Sequence, residues 1–408
     1  MIQALASKTA KPSAIDWQGL RQEPYRLLFP LGISLAAVGI GLWIPFYLWP
    51  EAVGFPGQAH AVILIQGFLL CFIFGFLGTM MPKVLGVRPL NTPQFAIFPI
   101  ALVGLAVASL AGAPRLAQIL HLCLLANFAV FIALRFPRRT SNPPPAFAFI
   151  AVAMLADIAG TLLKLAALSD LLGATASRAG ALLQYQAFPL LLILGVGGFL
   201  LPKLFANGPI DPASLRDSAA SGPGRPLALA ALFLISFGVE ILSLHRGYGD
   251  AGLRAAYGLR AAVWIWFILR DIRIHKVPGK LPLYLFGARV SLIVIGAGLL
   301  LPVFRPAYLL AWEHVIFLSG FLRLTLSIAS RVVAAHSGRL EILGLHRKKV
   351  RVYGMLIVFA MFTRIASDFW PKSHWMHIAI AAAVAMTAIA IWSGIFFPLL
   401  RVHPGGKV

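Results

Sequence analysis

The chain has 408 residues, of which 60% are hydrophobic and only 12% charged, with a mean hydropathy of +0.86 and a formal net charge of +22. Soluble domains usually carry about 25% charged residues, and a soluble fold cannot hide so much apolar surface. Composition therefore excludes a soluble protein and points to an all-α, polytopic membrane protein.

Apolar runs of about 20 residues, the length that crosses a bilayer, predict twelve spans. They fall at 26–49, 59–82, 94–112, 115–136, 146–169, 179–204, 226–244, 253–269, 283–304, 307–330, 352–369 and 374–399. Residues 1–24 then read as a cytoplasmic N-terminal segment, 25–400 as one twelve-helix transmembrane domain and 401–408 as a cytoplasmic tail. The N-terminus has no short apolar core with a small-residue cleavage site, so no signal peptide is expected. Cys71 and Cys123 both fall inside predicted spans, and no disulfide framework or CxxC metal motif exists.

In the loops and at the span ends, 24 Lys and Arg collect on one side, from Lys8 through Lys83, Arg135, Lys203, Arg270 and Arg347 to Lys407. Only six lie on the other: Arg115, Arg178, Arg246, Arg254, Arg305 and Lys372. The alternation holds loop after loop, which puts both termini in the cytoplasm. The basic charge is thus topology and attraction to anionic lipid, and not a nucleic-acid footprint. The clearest linkers, 138–145 and 208–225, both fall on the basic side.

Span 2 ends in Gly78-Thr79-Met80-Met81-Pro82-Lys83 and span 6 in Gly198-Phe199-Leu200-Leu201-Pro202-Lys203. Span 10, four helices later, crosses in the same direction and ends in Arg331 and His336-Ser337-Gly338-Arg339. Two explanations stand side by side. One is a threefold repetition of four-helix units; the other is coincidence, because Pro followed by Lys commonly ends a helix at a cytoplasmic surface.

Six of the ten histidines sort to the outer side: His60, His121, His245, His314, His374 and His377. His121, His245 and His374 read first as interfacial imidazoles. His374 and His377, three apart, share a helix face and form a candidate bidentate metal site, with no third ligand evident. His60 and His314 sit at matching depth on spans 2 and 10. Two facing neutral imidazoles suit the axial positions of a low-spin b-type haem. From His314 to Arg331 is 17 positions, or roughly 25 Å of helix, so span 10 would hold something near one end and a cationic exit at the other.

Charges inside spans are costly and usually functional. Asp157 and Lys164, seven apart on span 5, are expected to neutralise one another. Arg260, Arg289, Arg323 and Arg364 lie within spans, with Glu240 and Glu313 the nearest candidate partners. Structural pairing or snorkelling competes with anion binding, and Arg323 is the preferred candidate for haem propionates because it shares span 10 with His314.

These segments resemble the NnrS family of bacterial twelve-span membrane proteins over most of the chain. The family opens span 2 with His-x-His-Glu-Met-x-x-Gly followed by Gly-Phe-Leu-Leu-Thr-x-x-Pro. Here the stretch reads His60-Ala61-Val62-Ile63-Leu64-Ile65-Gln66-Gly67, then Gly75-Phe76-Leu77-Gly78-Thr79-Met80-Met81-Pro82. The family's span 10 begins with a histidine and ends in Met-x-Arg and Leu-Gly-His-Thr-Gly-Arg. The chain has His314, then Ala329-Ser330-Arg331 and Ala334-Ala335-His336-Ser337-Gly338-Arg339. Gly197-Gly198 with Pro202 also fits the exit of span 6.

The resemblance implies a haem- and copper-containing inner-membrane protein of the nitric oxide and nitrosative stress response, often found with denitrification genes. It also implies a distant likeness to haem–copper oxidases, whose twelve helices form three four-helix arcs. Nitric oxide and an electron donor are the partners so implied, besides the lipid bilayer. The chain departs from the family at Val62 and Ile63, which replace its second histidine and its glutamate, and span 6 offers Gln184, Tyr185 and Gln186 but no histidine. A copper-containing binuclear centre cannot be assembled from these residues. Arg331, His336 and Arg339 form either a structural exit turn or a separate anion or redox-partner site. Three functions remain: a haem protein that binds, senses or does redox chemistry on nitric oxide, a cofactor-free transporter of an anion or metal, and a nitric-oxide-metabolising oxidoreductase.

Overall fold

The computed structural model describes residues 16–206, 222–247 and 249–400. Most of the 1–24 segment (with Lys8 and Lys11), most of the 208–225 linker (with Arg216) and the 401–408 tail (with Arg401, His403 and Lys407) lie outside the described residues.

Among the described residues the secondary structure is helical, with no strand, and twelve helices are long and apolar enough to cross a membrane. They run Tyr25–Leu48, Gly57–Leu85, Thr92–Leu110, Pro114–Arg138, Phe147–Leu168, Ala174–Phe205, Gly224–Arg246, Gly249–Lys276, Leu283–Phe304, Pro306–His336, Arg347–Phe369 and Pro371–Leu400, spans 1 to 12. Their outward faces carry exposed Ile100, Leu134, Leu155, Phe304, Phe359 and Phe362. A bilayer is the medium that accepts such faces and that requires every backbone group to be satisfied within a helix.

The packing repeats every four helices. Spans 1 and 2, 5 and 6, and 9 and 10 lie together, as do 3 and 4, 7 and 8, and 11 and 12. Spans 1 and 3, 5 and 7, and 9 and 11 touch as well. The units join through 4 against 5, 8 against 9 and 12 against 1, which closes a ring. The recurring Gly-x-x-x-Pro-Lys exits of spans 2 and 6 thus sit at equivalent places.

The second helix of each unit is the inner one. Spans 2, 6 and 10 are 72%, 67% and 61% buried, against 33–50% for the other nine. These three alone among the described residues contain π-helical turns: Ile63–Leu69, Leu183–Ala187, Ile193–Gly197 and Val315–Leu322. A π-turn adds a residue to the turn and rotates everything beyond it, and such turns collect at functional sites. His314 immediately precedes one and His60 stands three residues before another.

Close approach of backbones is built in where the fold needs it. Gly160 on span 5 faces Gly180 on span 6, and a methyl added at Gly180 would lie 2.6 Å from the carbonyl oxygen of Gly160. Small residues at such a crossing let helices pack tightly in lipid. At the Lys/Arg-rich end, Glu23 gathers three spans: Arg26 Nε donates to it at 2.6 Å, Lys83 lies 4.0 Å away and His336 3.6 Å away.

Candidate functional site

A cavity of about 410 Å³ opens in the Lys/Arg-poor half where the third unit meets the first, walled by spans 1, 2, 6, 10, 11 and 12. That volume is within the range of roughly 300–1,000 Å³ typical of ligand and cofactor pockets. Its body is apolar, formed by Leu64, Phe68, Phe317, Phe321, Ile378 and others, and a small set of polar groups converges on it.

His60 and His314 both line this cavity. His60 Nδ1 lies 2.9 Å from the carbonyl oxygen of Gly39. Span 1 is interrupted between Gly41 and Trp43, where Pro45 has no N–H to offer the carbonyl of Gly41. The Trp43 indole N–H stands 3.0 Å from the same Nδ1. A carbonyl only accepts and an indole N–H only donates, so the two neighbours select opposite tautomers of His60. With Gly39 as partner, Nε2 carries the free lone pair. His314 has one such neighbour: Nδ1–H donates to Leu310 O at 2.7 Å, leaving Nε2 available.

His374 also lines the cavity, with Nδ1–H donating to Ser367 O at 2.9 Å. His377 is not in the wall; its Nδ1–H donates to Ser373 O at 2.9 Å and its ring stacks on Trp370 at 5.9 Å. The two rings of the expected bidentate pair therefore serve different surroundings. Among the described residues no group of three His, Cys, Asp or Glu side chains comes together to hold a metal ion.

Arg323 stands elsewhere. It is absent from the cavity wall and lies between spans 9 and 11, close to Gly287 and Gly354 and beside Tyr353. The cations in the wall are Arg178 and Arg364. Arg364 is buried, and its Nη1 donates to Ser367 Oγ at 2.6 Å and Asp368 Oδ1 at 2.9 Å. Arg178 Nη2 donates to Glu240 Oε1 at 3.3 Å and is 3.9 Å from Glu313 Oε1. Sequence reasoning noted Arg364 only as a charge within a span and counted Arg178 among loop cations. An arginine predicted close to a histidine-bearing end was the available signal.

Glu313, in the wall beside His314, fronts a buried polar cluster. Its Oε1 accepts from Gln186 Nε2 at 2.7 Å and from the Tyr257 hydroxyl at 3.3 Å. Arg260 closes the cluster, donating to Gln186 Oε1 at 3.0 Å and Glu240 Oε2 at 2.9 Å between the rings of Phe237 and Tyr257. The buried Arg260 is paired with Glu240, and the more exposed Arg178 reaches both glutamates from the rim. Glu240 and Glu313 are thus the partners of Arg260 and Arg178.

A second buried cluster corrects two expectations. His121 is not interfacial: it is 1% exposed, and its Nε2 lies 3.0 Å from Asp157 Oδ1. Asp157 is therefore partnered by His121 of span 4, and Lys164 turns instead to the Tyr185 hydroxyl at 3.0 Å.

The exit of span 10 closes in a helix cap. Gly338 adopts φ +70°, and Arg339 N–H donates back to Ala334 O at 2.9 Å, a left-handed helix cap. The His336 ring lies 5.2 Å from that of Tyr25.

No curated protein matches the chain. The family model described as NnrS protein matches residues 19–403, almost the whole chain. With twelve spans and the histidines of spans 2 and 10 in one cavity, the chain belongs to the NnrS family.

Proposed function

We propose that the protein binds a b-type haem in the cavity between spans 2 and 10, where His60 and His314 would hold the iron, and acts through it in the nitric oxide response. The observation that carries this reading is the pairing of the two imidazoles in one apolar-walled cavity, each with Nδ1 facing a backbone carbonyl. A ring so held has a fixed orientation and presents Nε2 as a ligand, the arrangement found in metal-binding histidines.

The donor set fits haem. Two imidazoles suit the iron, the aromatic and aliphatic wall suits the macrocycle, and Arg364 and Arg178 take the role of propionate clamps first given to Arg323. Bound iron supplies reversible one-electron chemistry and affinity for a diatomic ligand. The chain's own part is to hold Nε2 of both rings, to neutralise the propionates, and to keep water from the apolar wall. The donor set does not fit copper, and no step is assigned to it.

The Lys/Arg-rich end faces the cytoplasm of a bacterial inner membrane, which puts the cavity in the outer half of the bilayer. Participation in nitric oxide binding, sensing or redox chemistry rests on family membership.

The test is chemical haem determination on detergent-purified protein expressed with haem supply, followed by nitric oxide addition. The expected result is stoichiometric b-type haem whose spectrum nitric oxide perturbs where an axial ligand exchanges. Colourless protein with flux of an anion or metal in proteoliposomes would instead support the transporter reading.

A further inference from the structure

A second cavity of about 130 Å³, partly open to its surroundings, lies mainly among the three inner helices. Leu69 of span 2 and Phe321 of span 10 belong to its wall and to that of the histidine-lined cavity, so the two adjoin end to end. From that junction the wall runs toward the Lys/Arg-rich end, reaching Leu77, Leu201 and Ala329. The π-turn Ile193–Gly197 of span 6 supplies Ile193, Val196 and Gly197 to it.

Thr325 is the one polar side chain in this wall. A buried water needs two to four polar partners, so the space is unsuited to water, whereas dry apolar voids of about 150 Å³ take up xenon or benzene. A cavity of this kind inside a bilayer, where apolar gases concentrate, favours a small uncharged molecule with little hydrogen-bonding demand.

We propose that this second cavity is a binding site for a small apolar gas and that it stores nitric oxide beside the histidine-lined cavity. The gas-binding property stands on the cavity alone; the identity of the gas and the destination rest on the haem reading.

The test has two arms. Xenon-pressurised crystals of the full chain, pigmented or not, should show xenon among Val196, Leu192 and Ile328, and Val196→Phe should abolish it while leaving the thermal melt unchanged. Should Val196→Phe fail to fold, Ile328→Phe fills the same space from span 10. Absence of xenon from the natural protein, or a detergent or lipid chain lying in the cavity, overturns the proposal. In pigmented protein, flash photolysis of bound nitric oxide should show fast rebinding from the stored pool that is lost in the filled variant. Unchanged rebinding overturns the storage role even where xenon binds. Colourless protein that still binds xenon refutes the haem reading and leaves the gas site standing.

Discussion

His60 and His314 reach the same cavity from helices 254 positions apart, and each is aimed by a carbonyl of the helix beside it or of its own preceding turn. Trp43 opposes this at His60, because its indole N–H selects the tautomer that withdraws Nε2. Trp43→Phe removes the competing donor and should leave haem content unchanged or raised, measured by pigment per protein. Arg364→Gln should loosen haem by about 1.5–3 kcal/mol, the scale of a hydrogen bond to a charged group, read as faster loss to apomyoglobin. Arg323→Gln, away from the cavity, should not. Asp157→Ala leaves His121 Nε2 buried without its partner and should destabilise the protein by about 1–3 kcal/mol. The double change His121→Leu with Asp157→Leu should recover much of that loss in a denaturation titration. Residue type and depth were legible in the sequence for His60 and His314. The choice between Arg323 and Arg364 was not, since both read as a cation within a span and only the rotation of each helix decides which faces the cavity. The Asp157 partner was illegible for a similar reason: Lys164 shares its helix, but tertiary packing brings His121 closer.

At the scale of elements, all twelve helices were legible because bilayer thickness sets a length that apolar runs must meet. Their ends were less so. Span 10 continues to His336 and span 2 to Leu85, beyond the last apolar stretch, because Lys, Arg and His are comfortable in the headgroup region. The π-turns were also hidden, since Ile63–Leu69 and Val315–Leu322 read as ordinary apolar helix. They matter because they shift the register of the inner helices beside His60 and His314. Gly180→Leu forces a side chain against the backbone of Gly160 and should cost at least about 1–3 kcal/mol, the scale of overpacking, seen as a lowered melting temperature. Gly338→Ala at φ +70° should cost about 1 kcal/mol without changing haem content, as expected of a helix cap remote from the cavity.

For the whole molecule, the contacts that repeat every four helices favour the threefold reading of the Gly-x-x-x-Pro-Lys exits over coincidence. The joint between units three and one carries the histidines, whereas the other two joints carry compact, ion-paired or hydrogen-bonded polar clusters around Arg260 and His121. Orientation can be tested at this scale. A cysteine placed at Glu51 should react with an impermeant maleimide from outside intact cells, and one at Arg347 only after permeabilisation. The reverse pattern would invert the topology. The central claim is most directly tested by the Soret spectra of the purified His60→Ala and His314→Ala proteins beside the parent. A sharp low-spin band is expected in the parent and should collapse in each single variant, while His377→Ala keeps it. A parent without pigment, or a band that survives both substitutions, would contradict the claim.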